Sequence, residues 1–166
     1  MPECLYLVYF RIFWETTRVT GQKAKGDKKL GRSEMRAEIV TIGSELLLGQ
    51  IVDSNAAFIA RELAAIGLDL HFKTTVGDNL NRLTDALKLA LSRSEVVITT
   101  GGIGPTADDM TREAVALATG RPLEFSPRLM ADIEAFFQTR GLGLSPSNQK
   151  QAYRSEERRV GKECRL

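Results

Sequence analysis

Cysteine and histidine are scarce in this chain of 166 residues. Its two cysteines, Cys4 and Cys164, stand near opposite ends, and its single histidine is His71. So few thiols exclude a disulfide framework and a metal site built from thiolates. His71 falls on the polar face of a predicted strand, where a solvated ring is favoured over a catalytic one.

Clustered positive charge is also lacking in the middle of the chain. Residues 1–34 carry seven basic and four acidic side chains, and residues 154–166 carry five basic and three acidic ones. Residues 35–153 carry eleven basic and fourteen acidic side chains, so the excess of positive charge lies at the two ends. A nucleic-acid-binding face needs clustered cations, so no nucleic-acid partner is expected. The apolar run from Leu5 to Trp14 is too short for a membrane span and lacks the flanks of a secretory signal. A cytoplasmic protein without membrane contact is therefore expected.

The two ends differ from the rest in pattern. Residues 21–34 combine lysines, glycines and small polar residues that bury too little surface to offset their ordering entropy, which predicts disorder. Met35 directly precedes the first strand pattern, so residues 1–34 are predicted to be a non-native extension; a genuine arm or a short helix is the alternative. Residues 154–166 resemble the translation of a sequencing adapter, with a solvated charged tail as the alternative. The domain is then residues 35–153, incomplete at its C terminus.

Strand and helix patterns alternate within residues 35–153. Strands are predicted at 36–42, 68–76 and 95–100 from buried runs and from apolar-polar alternation. Four helices are predicted from caps and apolar spacing, beginning at Ser54, Asn79, Asp108 and Ser126. In the third of these helices Leu117 is predicted to face inward, and Gly120 ends the helix. This order predicts a three-layer α/β fold, with a mostly parallel sheet between helices on both faces.

The connection over residues 99–111 carries the densest chemistry. It reads Thr-Thr-Gly-Gly-Ile-Gly-Pro-Thr-Ala-Asp-Asp-Met-Thr, and it leaves a buried strand at the edge where such sheets bind ligands. Glycines let the backbone approach a phosphate, and the N–H groups of a helix start favour anionic oxygen. Two acids beside a phosphate make sense with a divalent cation, which takes oxygen ligands. The alternative is a tight turn in which an aspartate only caps the helix.

Two long motifs carry a resemblance to a known family. They are Thr100-Gly-Gly-Ile-Gly-Pro-Thr-x-Asp-Asp-x-Thr111 and Ile42-Gly-Ser-Glu-Leu-Leu-Leu-Gly-x-Ile-x-Asp-Ser-Asn55. Together they resemble the N-terminal domain of the competence/damage-inducible protein A (CinA) family, part of the wider molybdopterin-binding (MoaB/Mog-like) group, over Met35 to Tyr153. The resemblance implies the three-layer fold, a homo-oligomer at full length, and divalent-metal-dependent hydrolysis of ADP-ribose to AMP and ribose 5-phosphate.

The resemblance also implies roles for individual residues. Asp109 and Asp78 are implied to be catalytic, and Asp108 and Asp109 to hold the divalent metal ion. Contacts to the nucleotide and its phosphates are implied for Gly101, Gly102, Gly104, Thr106, Thr111, Glu45 and Asn55. For Glu45 a carboxylate at a turn or helix start is an equal alternative.

Two other hypotheses stay open. One is a module that binds a pterin or nucleotide without turnover, and the other is an inactive, truncated gene product. In the family the domain continues into a glycine- and proline-rich stretch and often into a separate deamidase domain. Nicotinamide mononucleotide deamidation is therefore not assigned to this chain.

Overall fold

The computed structural model describes residues 35–154, and the predictions for residues 1–34 and 155–166 lie outside this range. Strands and helices alternate through most of the described chain, and a short two-stranded ribbon closes it. In chain order the elements are β1 Arg36–Ile42, α1 Ser44–Leu47, α2 Ser54–Ala65, β2 Asp69–Val76, α3 Leu80–Arg93, β3 Val96–Thr100, α4 Thr111–Thr119, β4 Glu124–Phe125, α5 Pro127–Thr139, a 3₁₀ helix Pro146–Ala152, and β5 Tyr153–Arg154.

The main sheet has the order β2-β1-β3, and all its strands are parallel. Ile42 of β1 pairs with Val76 of β2, and Thr41 pairs with Thr100 of β3, so the three strands end at one rim. The register of β1 and β2 shifts between Ala37 and Glu38. This irregularity and the edge position leave β2 more exposed than its alternating pattern predicts.

Helices cover both faces of this sheet, as the sequence predicts. On one face, Leu83 and Leu87 of α3 and Ala114 of α4 pack with Val40 of β1. On the other, Ile59 and Leu63 of α2 pack against Ile39 and Ile98. Each fully buried aliphatic side chain contributes roughly 1.5–3 kcal/mol through its removal from water. The three-layer α/β architecture is therefore confirmed.

Local capping decides where the helices begin. Asn79 caps α3 and Ser126 caps α5, both as predicted. The cap of α2 is Asp53 rather than Ser54, because an Asp53 oxygen accepts the N–H of Ala56 at 3.0 Å. The third predicted helix begins three residues later than expected, since α4 starts at Thr111.

The outer faces of α4 and α5 are more exposed than the apolar patterns in their sequences predict. Leu117, predicted to face inward, is 56% exposed, whereas the turn at Gly120 is left-handed as expected, with φ 67°. Helix α5 has a clear apolar stripe but no fully buried residue, and Phe136 and Phe137 are half-buried. Within residues 35–154, no helix has the length and apolar content that crossing a membrane would require.

Two ion pairs hold the other end of the sheet, where the strands begin. The carboxylate of Glu38 is completely buried, and the guanidinium of Arg93 donates to both of its oxygens, at 2.9 and 2.7 Å. Thr74 donates a further hydrogen bond to Glu38 at 2.8 Å. Arg36 and Glu95 form a second, more exposed pair at 2.6 Å. These contacts connect β1 to β2, to the last residue of α3 and to the residue before β3.

Candidate functional site

The candidate site lies at the rim where β1, β2 and β3 end. The chain leaves β1 through Gly43, whose N–H donates to the carbonyl of Val76 at 3.0 Å. Beside it, the N–H of Ser44 donates to the carboxylate of Asp78 at 2.9 Å, and the N–H of Asp78 donates to the Ser44 hydroxyl at 3.2 Å. Asp78 therefore lies at the rim, as predicted, where it joins the loops after β1 and β2.

The loop after β3 is packed too tightly for side chains at its glycines. At Gly101, whose φ is 97°, an added Cβ would lie 2.1 Å from the carbonyl oxygen of Ile42. At Gly102, with φ 59°, it would lie 2.5 Å from the hydroxyl of Thr111, and at Gly104 it would lie 2.5 Å from Asp109 Oδ2. Gly101 and Gly102 also have positive φ, so the loop's shape requires glycine at both positions, whereas at Gly104 the neighbour is the end of the Asp109 side chain.

Thr111, the first residue of α4, closes the loop on itself. Its hydroxyl donates to the carbonyl of Gly101 at 2.8 Å, and its N–H donates to the carbonyl of Gly102 at 3.1 Å. Only 3% of Thr111 is exposed. The hydroxyl that the sequence places near a phosphate is thus engaged by the loop backbone.

The side chain of Asp109 is held by hydrogen bonds from Thr106, a residue of the same loop. The N–H of Thr106 donates to Asp109 Oδ2 at 2.9 Å, and the Thr106 hydroxyl donates to the same oxygen. Partial burial acts to raise the pKa of Asp109, but hydrogen bonds from Thr106 and Gly104 and the charge of Arg112 outweigh it and lower that pKa. Asp109 is therefore ionised at neutral pH, and its neighbour Asp108 is exposed.

Two cationic residues that were not predicted from the sequence donate hydrogen bonds to carbonyl groups of the loop. The guanidinium of Arg112 donates to the carbonyls of Ile103 and Gly104, the latter at 2.7 Å. Arg112 is 6% exposed, and this burial lowers its pKa. Lys150, from the 3₁₀ helix, donates to the carbonyls of Thr106, at 3.1 Å, and Asp109.

One signal could have identified the first of these residues. A positive charge in the first turn of a helix opposes the helix dipole, so Arg112 directly after Thr111 is out of place unless another group requires it there. Lys150 carries no such local signal, because it lies 41 residues beyond Asp109 in the chain.

Two clefts adjoin the loop. The smaller, of about 310 Å³, brings together the predicted residues Glu45, Asn55 and Gly101, with Asp53 and Thr100 beside them. The larger, of about 590 Å³, opens at the middle of the loop. Its lining includes Pro105, Thr106, Glu113, Pro146, Lys150 and Tyr153.

The acidic residues of the rim do not form a cluster that could hold a metal by itself. Within residues 35–154, no three Asp, Glu, His or Cys side chains come close enough together to surround an ion. Asp78 is engaged with Ser44, and Asp109 with Thr106. Any ion at this rim needs ligands from another source, such as the oxygens of a bound phosphate.

Comparison with known proteins identifies the family. Residues 38–156 match the family described as the probable molybdopterin binding domain. The chain is 51% identical over 119 residues to a competence-damage inducible protein of Caldicellulosiruptor saccharolyticus, and 54% identical over 117 residues to a CinA-like protein of Deinococcus deserti. These matches cover 72% and 70% of this chain but 29% of each relative.

A solved structure supports the same assignment. The protein CinA of Thermoplasma acidophilum, described as of unknown function, superposes with a TM-score of 0.67 and 34% identity. The match covers 75% of this chain and 72% of that protein. With this fold, this rim and these relatives, the chain belongs to the probable molybdopterin binding domain family, and within it to the competence/damage-inducible CinA group.

Proposed function

We propose that this domain hydrolyses ADP-ribose to AMP and ribose 5-phosphate at the loop over residues 101–111, with a divalent metal ion. The observation that carries the proposal is the contact between the glycine loop and an ionised carboxylate. A Cβ added at Gly104 would lie 2.5 Å from Asp109 Oδ2, so the loop backbone directly contacts this carboxylate. A backbone this bare of side chains allows phosphate oxygens to approach its N–H groups closely.

The residues present fit a divalent ion whose remaining ligands come from the substrate. Both hydrogen bonds from Thr106 fall on Asp109 Oδ2, so Oδ1 faces neither of these donors. Asp108 is exposed beside it. Mg²⁺ in phosphate sites is typically bound by one or two carboxylates together with phosphate oxygens and water.

Each residue then has a defined task. Asp108 and Asp109 would hold the ion, which when bound neutralises the diphosphate and lowers the pKa of water. The N–H groups over Gly101 to Gly104 bind the phosphate oxygens, and Thr106 keeps Asp109 oriented and charged. Asp78 sits at the neighbouring strand end, where we propose that it accepts a proton during the reaction. Glu45 and Asn55 line the smaller cleft and contact the nucleotide.

Release of AMP from ADP-ribose in the presence of added Mg²⁺ or Mn²⁺ tests the proposal. Asp109→Asn should lower turnover by about 100-fold or more, the typical loss when a group that stabilises the reacting charge is removed. Asp132→Asn, an exposed change on α5, is the matched control and should leave turnover unchanged. Equal turnover of the two variants would show that Asp109 has no part in the reaction.

A second candidate is a module that binds a pterin or a nucleotide without turning it over. The family's own description as a probable molybdopterin binding domain favours it. Stabilisation by ADP-ribose or a pterin, measured as a rise in the unfolding temperature without any AMP release, would support this function over hydrolysis. Either function agrees with our further proposals of a cytoplasmic location and a homo-oligomer at full length.

A further inference from the structure

Four carbonyl groups of the loop point at two positive charges. Arg112 donates to the carbonyls of Ile103 and Gly104, and Lys150 donates to those of Thr106 and Asp109. Hydrogen bonds from a charged donor are roughly twice as strong as neutral ones. These bonds therefore fix the orientation of the peptide planes more firmly than ordinary turn contacts would.

The orientation of a carbonyl also sets the direction of the next N–H. In a trans peptide the C=O and the following N–H point in opposite directions, and the described chain contains no cis peptide. With the carbonyls turned toward the two cations, the N–H groups of Gly104, Ala107 and Met110 turn away from them.

Burying the charged side chain of Arg112 is energetically unfavourable if its only role is to stabilise the loop. Only 6% of the residue is exposed, and its Nε has no hydrogen-bond partner among the described residues. Leaving a buried polar donor unpaired is unfavourable, because the donor has lost its hydrogen bonds to water. The geometry that accounts for burying this cation is its pair of hydrogen bonds to two successive loop carbonyls, those of Ile103 and Gly104.

We propose that Arg112 and Lys150 are positioning residues for a bound diphosphate. They act through the loop, because their hydrogen bonds to its carbonyls turn its N–H groups toward the anion. Lys150 also forms an ion pair with Glu113 at 3.3 Å, which holds the ammonium group beside the loop. This inference rests on the proposed function, because it assigns the loop a diphosphate ligand. It adds two residues, one of them from a distant helix, that need not touch that ligand.

Titration calorimetry with inorganic diphosphate and Mg²⁺ tests the inference on the full chain. Lys150→Met should weaken binding about tenfold, and Lys150→Arg, which keeps the donor and the charge, should restore most of the loss. Lys88→Met removes the same charge from an exposed position on α3 and should bind like the unaltered chain. Should Lys150→Met fail to fold, Arg112→Lys takes its place, because one ammonium group cannot replace the two-pronged contact of a guanidinium.

The amide resonances of the ligand-free protein separate positioning from direct contact. Positioning requires that the signals of Gly104, Ala107 and Met110 shift in Lys150→Met before any ligand is added, and that they return in Lys150→Arg. Equal binding by Lys150→Met and Lys88→Met, or unshifted loop amides, would overturn this inference alone. Failure of the unaltered chain to bind diphosphate would instead overturn the proposed function.

Discussion

Gly101 and Gly120 both have a positive φ. Replacing each of them with alanine separates the cost of that backbone angle from the cost of a steric clash. Gly120 ends α4 with φ 67°, and an added Cβ would meet nothing within 4 Å. Gly101 has φ 97°, and its added Cβ would lie 2.1 Å from the carbonyl oxygen of Ile42. Both substitutions carry the left-handed penalty of about 1–2 kcal/mol. The collision occurs only at Gly101.

The collision is costly because its partner cannot move. Ile42 is the last residue of the central strand β1, which pairs with a strand on each side. Forcing atoms into a packed region adds about 1–3 kcal/mol. Gly101→Ala is therefore expected to lose about 2–5 kcal/mol of unfolding free energy, against about 1–2 kcal/mol for Gly120→Ala.

Urea unfolding measures this difference. With a denaturant dependence of about 2 kcal/mol per molar urea, the midpoint should fall by roughly 0.5–1 M for Gly120→Ala and by roughly 1–2.5 M for Gly101→Ala. Both variants should keep the slope of the unaltered chain, since neither changes the surface exposed on unfolding. Equal midpoints for the two variants would show that the loop after β3 does not pack against the end of β1 as described.

Two more predictions concern charged groups. At Gly104 the backbone angle is ordinary, and an added Cβ collides only with the flexible end of Asp109. Gly104→Ala should therefore lower the free energy of unfolding by less than about 1 kcal/mol, but it should lower ADP-ribose turnover about tenfold or more. Unchanged turnover would contradict the contact between Gly104 and Asp109. The Arg36 side-chain hydrogen bonds lower the pKa of Glu95 to about 2, so this pair stabilises the fold above pH of about 4.5, and the stabilisation disappears as the pH falls toward 2. The melting temperature of Arg36→Met should therefore fall less steeply over that acid range than that of the unaltered chain, and parallel curves would contradict the shift.

Local signals were enough to predict the architecture. Buried runs at 36–42 and 95–100 lie close to β1 and β3, and Asn79, Gly120 and Ser126 act as the caps that their residue types favour. These features depend on neighbours within a few residues, so the sequence carries them directly. The exposure of Leu117 depends on what covers the outer face of α4, which no local pattern encodes.

The candidate site was harder to predict because its residues contact one another through the loop. Asp108 and Asp109 looked like the start of a helix, but the Asp109 carboxylate turns back to the N–H of Thr106, and α4 begins only at Thr111. The rim positions of Asp78, Glu45 and Asn55 follow from the parallel sheet. Their proposed roles in binding and catalysis stay predictions, because they depend on a ligand.

The remote origin of Lys150 has a consequence for biosynthesis. It meets the carbonyl of Thr106 across 44 residues of chain, so β1, β2, β3 and the whole glycine loop leave the ribosome before it does. At about 5–20 residues per second, the delay is roughly 2–9 seconds. For that interval the nascent sheet carries a loop that lacks one of its two braces. The candidate site is accordingly completed only after the strands of the main sheet, by a segment that is not one of those strands.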